Sequence, residues 1–476
     1  MNEKNDPTRL GRERIGKLLF EFALPAVFGM LFNTLYNVID TAFLQYALGD
    51  AGAAVATLAM PIMQILMGIS MLAGMGGCAL ASIQMGEGKH DKVELTLGNT
   101  VLLLVLMGAL IALVGHLAMP LLLAFISTPE VLHESTAEFL LIICSGFIFQ
   151  SLGMGVNNFL RTAGKPIMAF VTMAIGTVLC IVFNYIFVLQ FNWGVAGSAY
   201  ATIIGQGCGM VPVMWYFMFS KNAPFRLRVQ NLSPKPRLMG RILVMGLASF
   251  LMQVGSTCVS LVFNYVIGIW SIYDAISPDS AFAAIGIAQK ATMMVFAPMI
   301  GLLQANQPII GFNFGAKQWD RVLQALKLGT FACMAIGGVF TVLAFAIPDQ
   351  LVSLFGIKGD SEVLAAQSLM IYSIFLCPVG YQIMCSSYFQ SSGQPAKSSV
   401  LELTRQVIFL TPLLLILPYI TTQLFGWSGC ISIVACAPIS DLLSICVTSF
   451  FVVHEVRKLR KWRSDAAQGL PTGPDV

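Results

Sequence analysis

Asn33, Tyr36, Asn37 and Asp40 fall at i, i+3, i+4 and i+7 of the run LFNTLYNVIDT, inside the first long apolar stretch of the chain. That spacing lines two amides, a phenol and a carboxylate along one face of a helix. An acidic residue at membrane depth costs roughly 3 kcal/mol even on forgiving insertion scales, so such a stripe must look into the protein or into a water-filled cavity. Two readings fit. One is an ion or substrate site built on a switchable charge; the other is a satisfied interior carboxylate that fixes helix packing.

The elements that must position this stripe are membrane spans. Of 476 residues 57% are hydrophobic and only 11% are charged, against about a quarter charged in soluble domains. Twelve apolar segments are long enough to cross a hydrocarbon layer of roughly 30 Å. They run over 17–46, 53–83, 94–118, 131–161, 167–190, 195–219, 240–269, 281–312, 322–347, 361–391, 398–421 and 427–455. The expected fold is therefore all-α and integral to the membrane. No cleavable signal is visible, so the first span is expected to stay in the mature protein. Eleven cysteines lie singly within apolar segments and four histidines are scattered, which points away from a disulfide or metal framework.

If the spans alternate, nearly all of the 27 lysines and arginines fall on one side, together with both termini. Both termini are then expected in the cytoplasm. The net charge of +4 follows from those basic loops and calls for no nucleic-acid partner.

The chain also repeats itself. QMGEGKHDKV at 84–93 returns as NFGAKQWDRV at 313–322, and NNFLRTAGKP at 157–166 returns as SSYFQSSGQP at 386–395, both at an offset of 229. Register held at polar loop residues marks two six-helix halves related about an axis along the membrane normal. The expected division is 1–219 for the first bundle, 220–239 for a basic linker, 240–456 for the second bundle and 457–476 for a tail. Halves of this kind enclose a site at their interface, and rocking them gives alternating access, so transport is the leading class.

The Asp-bearing first span, QPIIGFNFGA at 307–316, GYQIMCSSYFQSSGQPAKS at 380–398 and LTRQVIFLTPLLLILP at 403–418 resemble the multidrug and toxic compound extrusion (MATE) family, in its MepA-like bacterial branch. The likeness covers essentially the whole chain. It implies an antiporter of the bacterial cytoplasmic membrane, monomeric, that expels lipophilic, mostly cationic compounds while protons or sodium ions flow inward. No cofactor is implied. By the same resemblance Pro25 matches the proline at which the first helix bends, Asp40 the coupling aspartate, and Thr202 a threonine of the same cation site. Where relatives often read N-x-x-x-D on the fifth span, this chain has Cys180 and Asn184, which removes one charge. Asn184 keeps an amide oxygen, or serves only as a packing contact between helices. The missing charge weighs against sodium, which needs several fixed oxygens, more than against a proton, which needs one carboxylate.

Other polar groups within the spans are further candidates. Gln150 and Asn157 are expected to line the first-half cavity, and Gln253 the second. Lys290 is expected either to face the second-half cavity or to pair with an acid such as Asp441. Glu402 and Arg405, at i and i+3, fit a local ion pair. The rival within transport is a lipid-linked saccharide flippase, whose cavity should be strongly cationic. An enzyme would need an acidic or His-bearing loop cluster, and none is present. A nucleotide-driven pump would need a GxxxxGK[ST] motif, which this chain lacks.

Overall fold

The structure is a computed structural model and describes residues 7–126, 128–273, 278–353 and 360–468. The first half contains α1 (Ile15–Leu48), α2 (Asp50–Gly86), α3 (His90–Leu117), α4 (His133–Thr162), α5 (Pro166–Asn184) and α6 (Gly194–Phe219). The second contains α7 (Pro236–Tyr273), α8 (Pro278–Gly315), α9 (Trp319–Ala346), α10 (Asp360–Ser373), α11 (Leu376–Ser391), α12 (Pro395–Leu403), α13 (Thr411–Phe425) and α14 (Gly429–Ala467). Among the described residues eleven helices are long and apolar enough to span a membrane, and α10 with α11 makes a twelfth, bent by 48°. Their outward faces carry exposed Leu106, Leu110, Leu113, Phe331, Val342 and Phe450, as hydrocarbon requires of a helix that satisfies its own backbone.

The helices are not uniform. α5 continues as a π-helical segment, Tyr185–Gln190, and α12 is joined to α13 through another, Thr404–Leu410. A π segment adds a residue to the turn and re-aims the side chains beside it, and such segments are frequent at functional sites. Pro25 lies inside the continuous helix α1.

The sequence repeat is also a repeat of backbone conformation. Gly164 and Gly393, related by the offset, both adopt the left-handed region, with φ of 75° and 77°. Gly88 and its counterpart Lys317 do the same at 74° and 55°, so the second half pays strain that the first avoids with glycine.

The apolar core shows how the halves meet. One large cluster joins Leu10, Ile15, Phe22, Leu80 and Phe159 of the first half to Ile309, Phe312, Trp319, Tyr388 and Leu459 of the second. All lie toward the end that carries both termini. At the opposite end the core divides. Leu44, Val55, Ile62, Phe139 and Phe147 form a cluster within the first half, and Phe263, Val266, Ile285, Leu414 and Ile433 another within the second. The halves are therefore sealed at the terminal end and part into a cleft toward the other.

Backbone proximity makes the seal. A methyl group built on Gly86 would lie on the carbonyl of Phe312, and one built on Gly315 would lie on the carbonyl of Ile83. Ile83 and Phe312 are themselves related by the offset of 229, so one contact occurs twice about the pseudo-two-fold axis. Only glycine permits helices this close. Side chains then clasp the N-terminal segment: Arg321 Nη2 donates to the carbonyls of Leu10 and Glu13 at 2.8 and 2.7 Å, and Asn313 Nδ2 donates to Leu10 at 3.0 Å. Farther up, Thr257 Oγ1 donates to Gln64 Oε1 at 3.2 Å, and Gln304 Nε2 lies 4.0 Å from Met30 Sδ.

Candidate functional site

Asp40 sits about ten residues, roughly 15 Å of helix, beyond the Met30 level of that seal. Its Oδ1 accepts two hydrogen bonds, from Asn184 Nδ2 at 2.9 Å and from Ser198 Oγ at 2.8 Å. Asn184 is the last residue of α5 before the π segment, and Ser198 lies in the first turns of α6, so three elements converge on one carboxylate. Two ladders of one-turn spacing build the wall: Cys180 and Asn184 on α5, Ser198 and Thr202 on α6. Cys180 Sγ ties them by donating to the Thr202 carbonyl at 3.6 Å.

The electrostatics are simple. Among the described residues no cation lies within 4.0 Å of Asp40, so the charge is held by dipoles alone. Asn184 is 0% exposed, yet its Oδ1 has no donor among the described residues. A buried acceptor without a donor carries a desolvation cost of about 1–3 kcal/mol, which a bound cation, proton carrier or water would relieve. No cluster of three or more His, Cys, Asp or Glu side chains suited to a metal occurs among the described residues.

The structure thus brings Asp40 and Asn184 together and adds Ser198, while Thr202 lies one turn beyond Ser198 on α6, its carbonyl bonded to Cys180. Ser198 was legible only as the residue one turn before Thr202 in GVAGSAYAT; nothing in its own type marked it. Of the stripe, Asn33 is exposed, and the side chains of Tyr36 and Asn37 lie outside the described residues.

Several other expected cavity residues do something different. Asn157 Nδ2 donates to the Ala169 carbonyl at 3.0 Å and to Thr172 Oγ1 at 2.7 Å, so it ties α4 to α5. Its buried amide is spent on packing, not on a cavity. Gln253 packs against Gly68 where α7 crosses α2, and Gln150 is half-buried on α4. Lys290 is exposed and does not pair with Asp441, which Arg405 takes instead, Nε to Oδ1 at 2.9 Å. Glu402 accepts from Ser386 Oγ at 2.7 Å and forms no ion pair with its neighbour Arg405. A helix puts i and i+3 side by side, but Arg405 is the second residue of the π segment, which turns it toward α14 instead.

The MatE family model matches residues 25–186 and 248–415, one stretch in each half. The chain belongs to the MatE family. This family consists of transporters, so this MatE chain is a transporter and not an enzyme. The resemblance drawn from the residues therefore holds. Among curated relatives, the chain is 22% identical to the multidrug export protein MepA of Staphylococcus saprophyticus over 88% of this chain and 90% of that one. Against MepA of Staphylococcus haemolyticus it is 22% identical, over 94% of each chain. Among solved structures it is similar to a MATE in complex with MaL6, with a TM-score of 0.88, 19% identity and coverage of 96% and 99%. It is also similar to the outward-facing conformation of a multidrug resistance MATE family transporter, with a TM-score of 0.86, 19% identity and coverage of 95% and 98%. These two likenesses carry the fold of the MatE chain.

Proposed function

We propose that this chain is an antiporter that exports lipophilic, mostly cationic organic compounds by alternating access, with inward flow of a cation, chiefly the proton, as the driving force. The observation that carries the reading is Asp40: a carboxylate with two hydrogen-bond donors and no counter-ion among the described residues, in a bundle that borders a cleft open at one end. Uptake of one proton cancels its charge and weakens its grip on a cationic passenger. Asp40, Asn184 and Thr202 form the coupling site, and the helix carrying Pro25 is the element that responds. The curated relatives named multidrug export proteins support the substrate class.

With both termini in the cytoplasm of a bacterial cell, the sealed end faces inward and the cleft faces outside. Single cysteines at Lys89, Lys235 and Lys317, in a background without native thiols, are expected to label only from the cytoplasm. Labelling of the Lys235 position from outside would reverse the orientation and the direction of transport.

The uncommitted Asn184 oxygen favours sodium as a second reading, since it supplies one more oxygen to a small hard cation. Proteoliposomes decide between the two. Dye transport is expected under a pH gradient in sodium-free buffer, with little under a sodium gradient at fixed pH. Robust transport in the second condition and none in the first sinks the proton reading.

A further inference from the structure

Within the second half, one arginine bridges two helices. The Arg405 guanidinium lies 5.1 Å from the centroid of the Phe296 ring on α8 and bonds Asp441 on α14 through Nε alone. Neither of its terminal nitrogens has a hydrogen-bond partner among the described residues, so the planar fork that usually grips a carboxylate with two bonds is held by one. Gln406, the next residue, packs against Gly255 of α7. Glu402 on α12 stands nearby, its carboxylate bonded to Ser386 of α11 and, among the described residues, to no cation. The cluster therefore holds two carboxylates and one positive charge.

The pair is not fully closed off. The side chains of Arg405 and Asp441 keep 19% and 13% of their exposure. Phe296 lies about eight residues, roughly 12 Å of helix, beyond Gln304, which meets Met30 of the first half, and so close to the depth of Asp40.

We propose that Asp441 and Phe296 form a docking subsite for a flat, delocalised organic cation, and that Arg405 occupies it as a built-in surrogate. A guanidinium is itself such a cation: planar, weakly hydrated, at home on an aromatic face and bonded to a carboxylate. An amidinium or xanthylium passenger offers the same features, with a larger ring system to stack. It displaces Arg405 by taking over both of its contacts, and the second carboxylate, Glu402, keeps the local balance in favour of positive charge after the exchange. The inference rests on the export reading above and assigns the second half a place in substrate recognition beside the coupling role of the first.

The test is equilibrium binding of tetramethylrhodamine methyl ester, a flat delocalised cation, to the full chain in nanodiscs without any ion gradient. Arg405→Gln is expected to bind the dye about tenfold more tightly than the parent, since it leaves Asp441 and the ring to the ligand and a charge-assisted bond is worth at least that factor. Arg405→Gln with Asp441→Asn is expected to lose the gain. Equal or weaker binding by folded Arg405→Gln overturns the subsite, as does a gain that survives in the double variant. Arg405→Lys keeps the ion pair, and with it the fold, while its compact ammonium uncovers the ring. A gain of about threefold is expected there from stacking alone, and its absence overturns the subsite even where Arg405→Gln does not fold. Because binding needs no gradient, a chain that passes this test but moves no dye under either gradient refutes the export reading and leaves the subsite standing.

Discussion

Asp40→Asn is expected to abolish gradient-driven dye export while the protein folds and inserts as the parent does. An asparagine at this position is nearly isosteric and its oxygen still accepts from Asn184 and Ser198, so the packing of α1 on α5 and α6 survives. The stability change should stay within about 1 kcal/mol, the net worth of one hydrogen bond. What disappears is the charge. Without a group that gains and loses a proton, the site has the same affinity for a cation in both access states, and a ligand or ion with no differential affinity shifts no equilibrium. The measurement is dye movement in proteoliposomes under an imposed pH gradient, beside a thermal melt of the same preparation. Export at the parent rate would make Asp40 a packing carboxylate and remove the coupling site.

Gly315→Val is expected to stop the terminal end from sealing. The new side chain would have to enter the space held by the Ile83 carbonyl, which is backbone and has no rotamer through which to yield. Overpacking of this kind costs typically about 1–3 kcal/mol when the surroundings can adjust. Here the adjustment available is separation of the two halves, which exposes Ser82, at 1% exposure one of the residues shut inside the seal. A cysteine at Ser82 in a background without native thiols should then react with a membrane-impermeant reagent applied from the terminal side, and export should fall to background. Gly86→Val should do the same through Phe312, because the two contacts are related by the internal repeat. Normal export together with an unreactive Ser82 position would show that the glycine pair is not the gate.

Much of this molecule is written locally. Membrane spans are legible because their length and lack of charge are properties of consecutive residues, and hydrocarbon tolerates no other composition. The two halves are legible because loop glycines such as Gly164 and Gly393 must supply left-handed conformations at matching places, so the repeat survives where the helices themselves have diverged. Asp40 is legible because a carboxylate within an apolar span is costly enough to need a function or a partner. In each case the physical constraint acts on a single residue or a single segment.

The tertiary structure decided whatever depended on a partner from another helix. Asn157 and Asp40 carry the same kind of signal in the sequence, a polar group in an apolar run. Asn157 spends its amide on α5, whereas Asp40 is met by dipoles and by no cation among the described residues. Asp441 had two basic residues to choose from along the chain, and the π segment that begins at Thr404 turns Arg405 toward it, while Lys290 stays exposed. Ser198 carries no signal of its own and becomes part of the site only because α6 packs beside α5. Composition and spacing thus determine that this chain crosses the membrane twelve times in two related halves around a buried acid. Which end of those halves is sealed, and which polar groups are left uncommitted inside them, is decided by close backbone packing at Gly86 and Gly315 and by the pairing of side chains far apart in sequence.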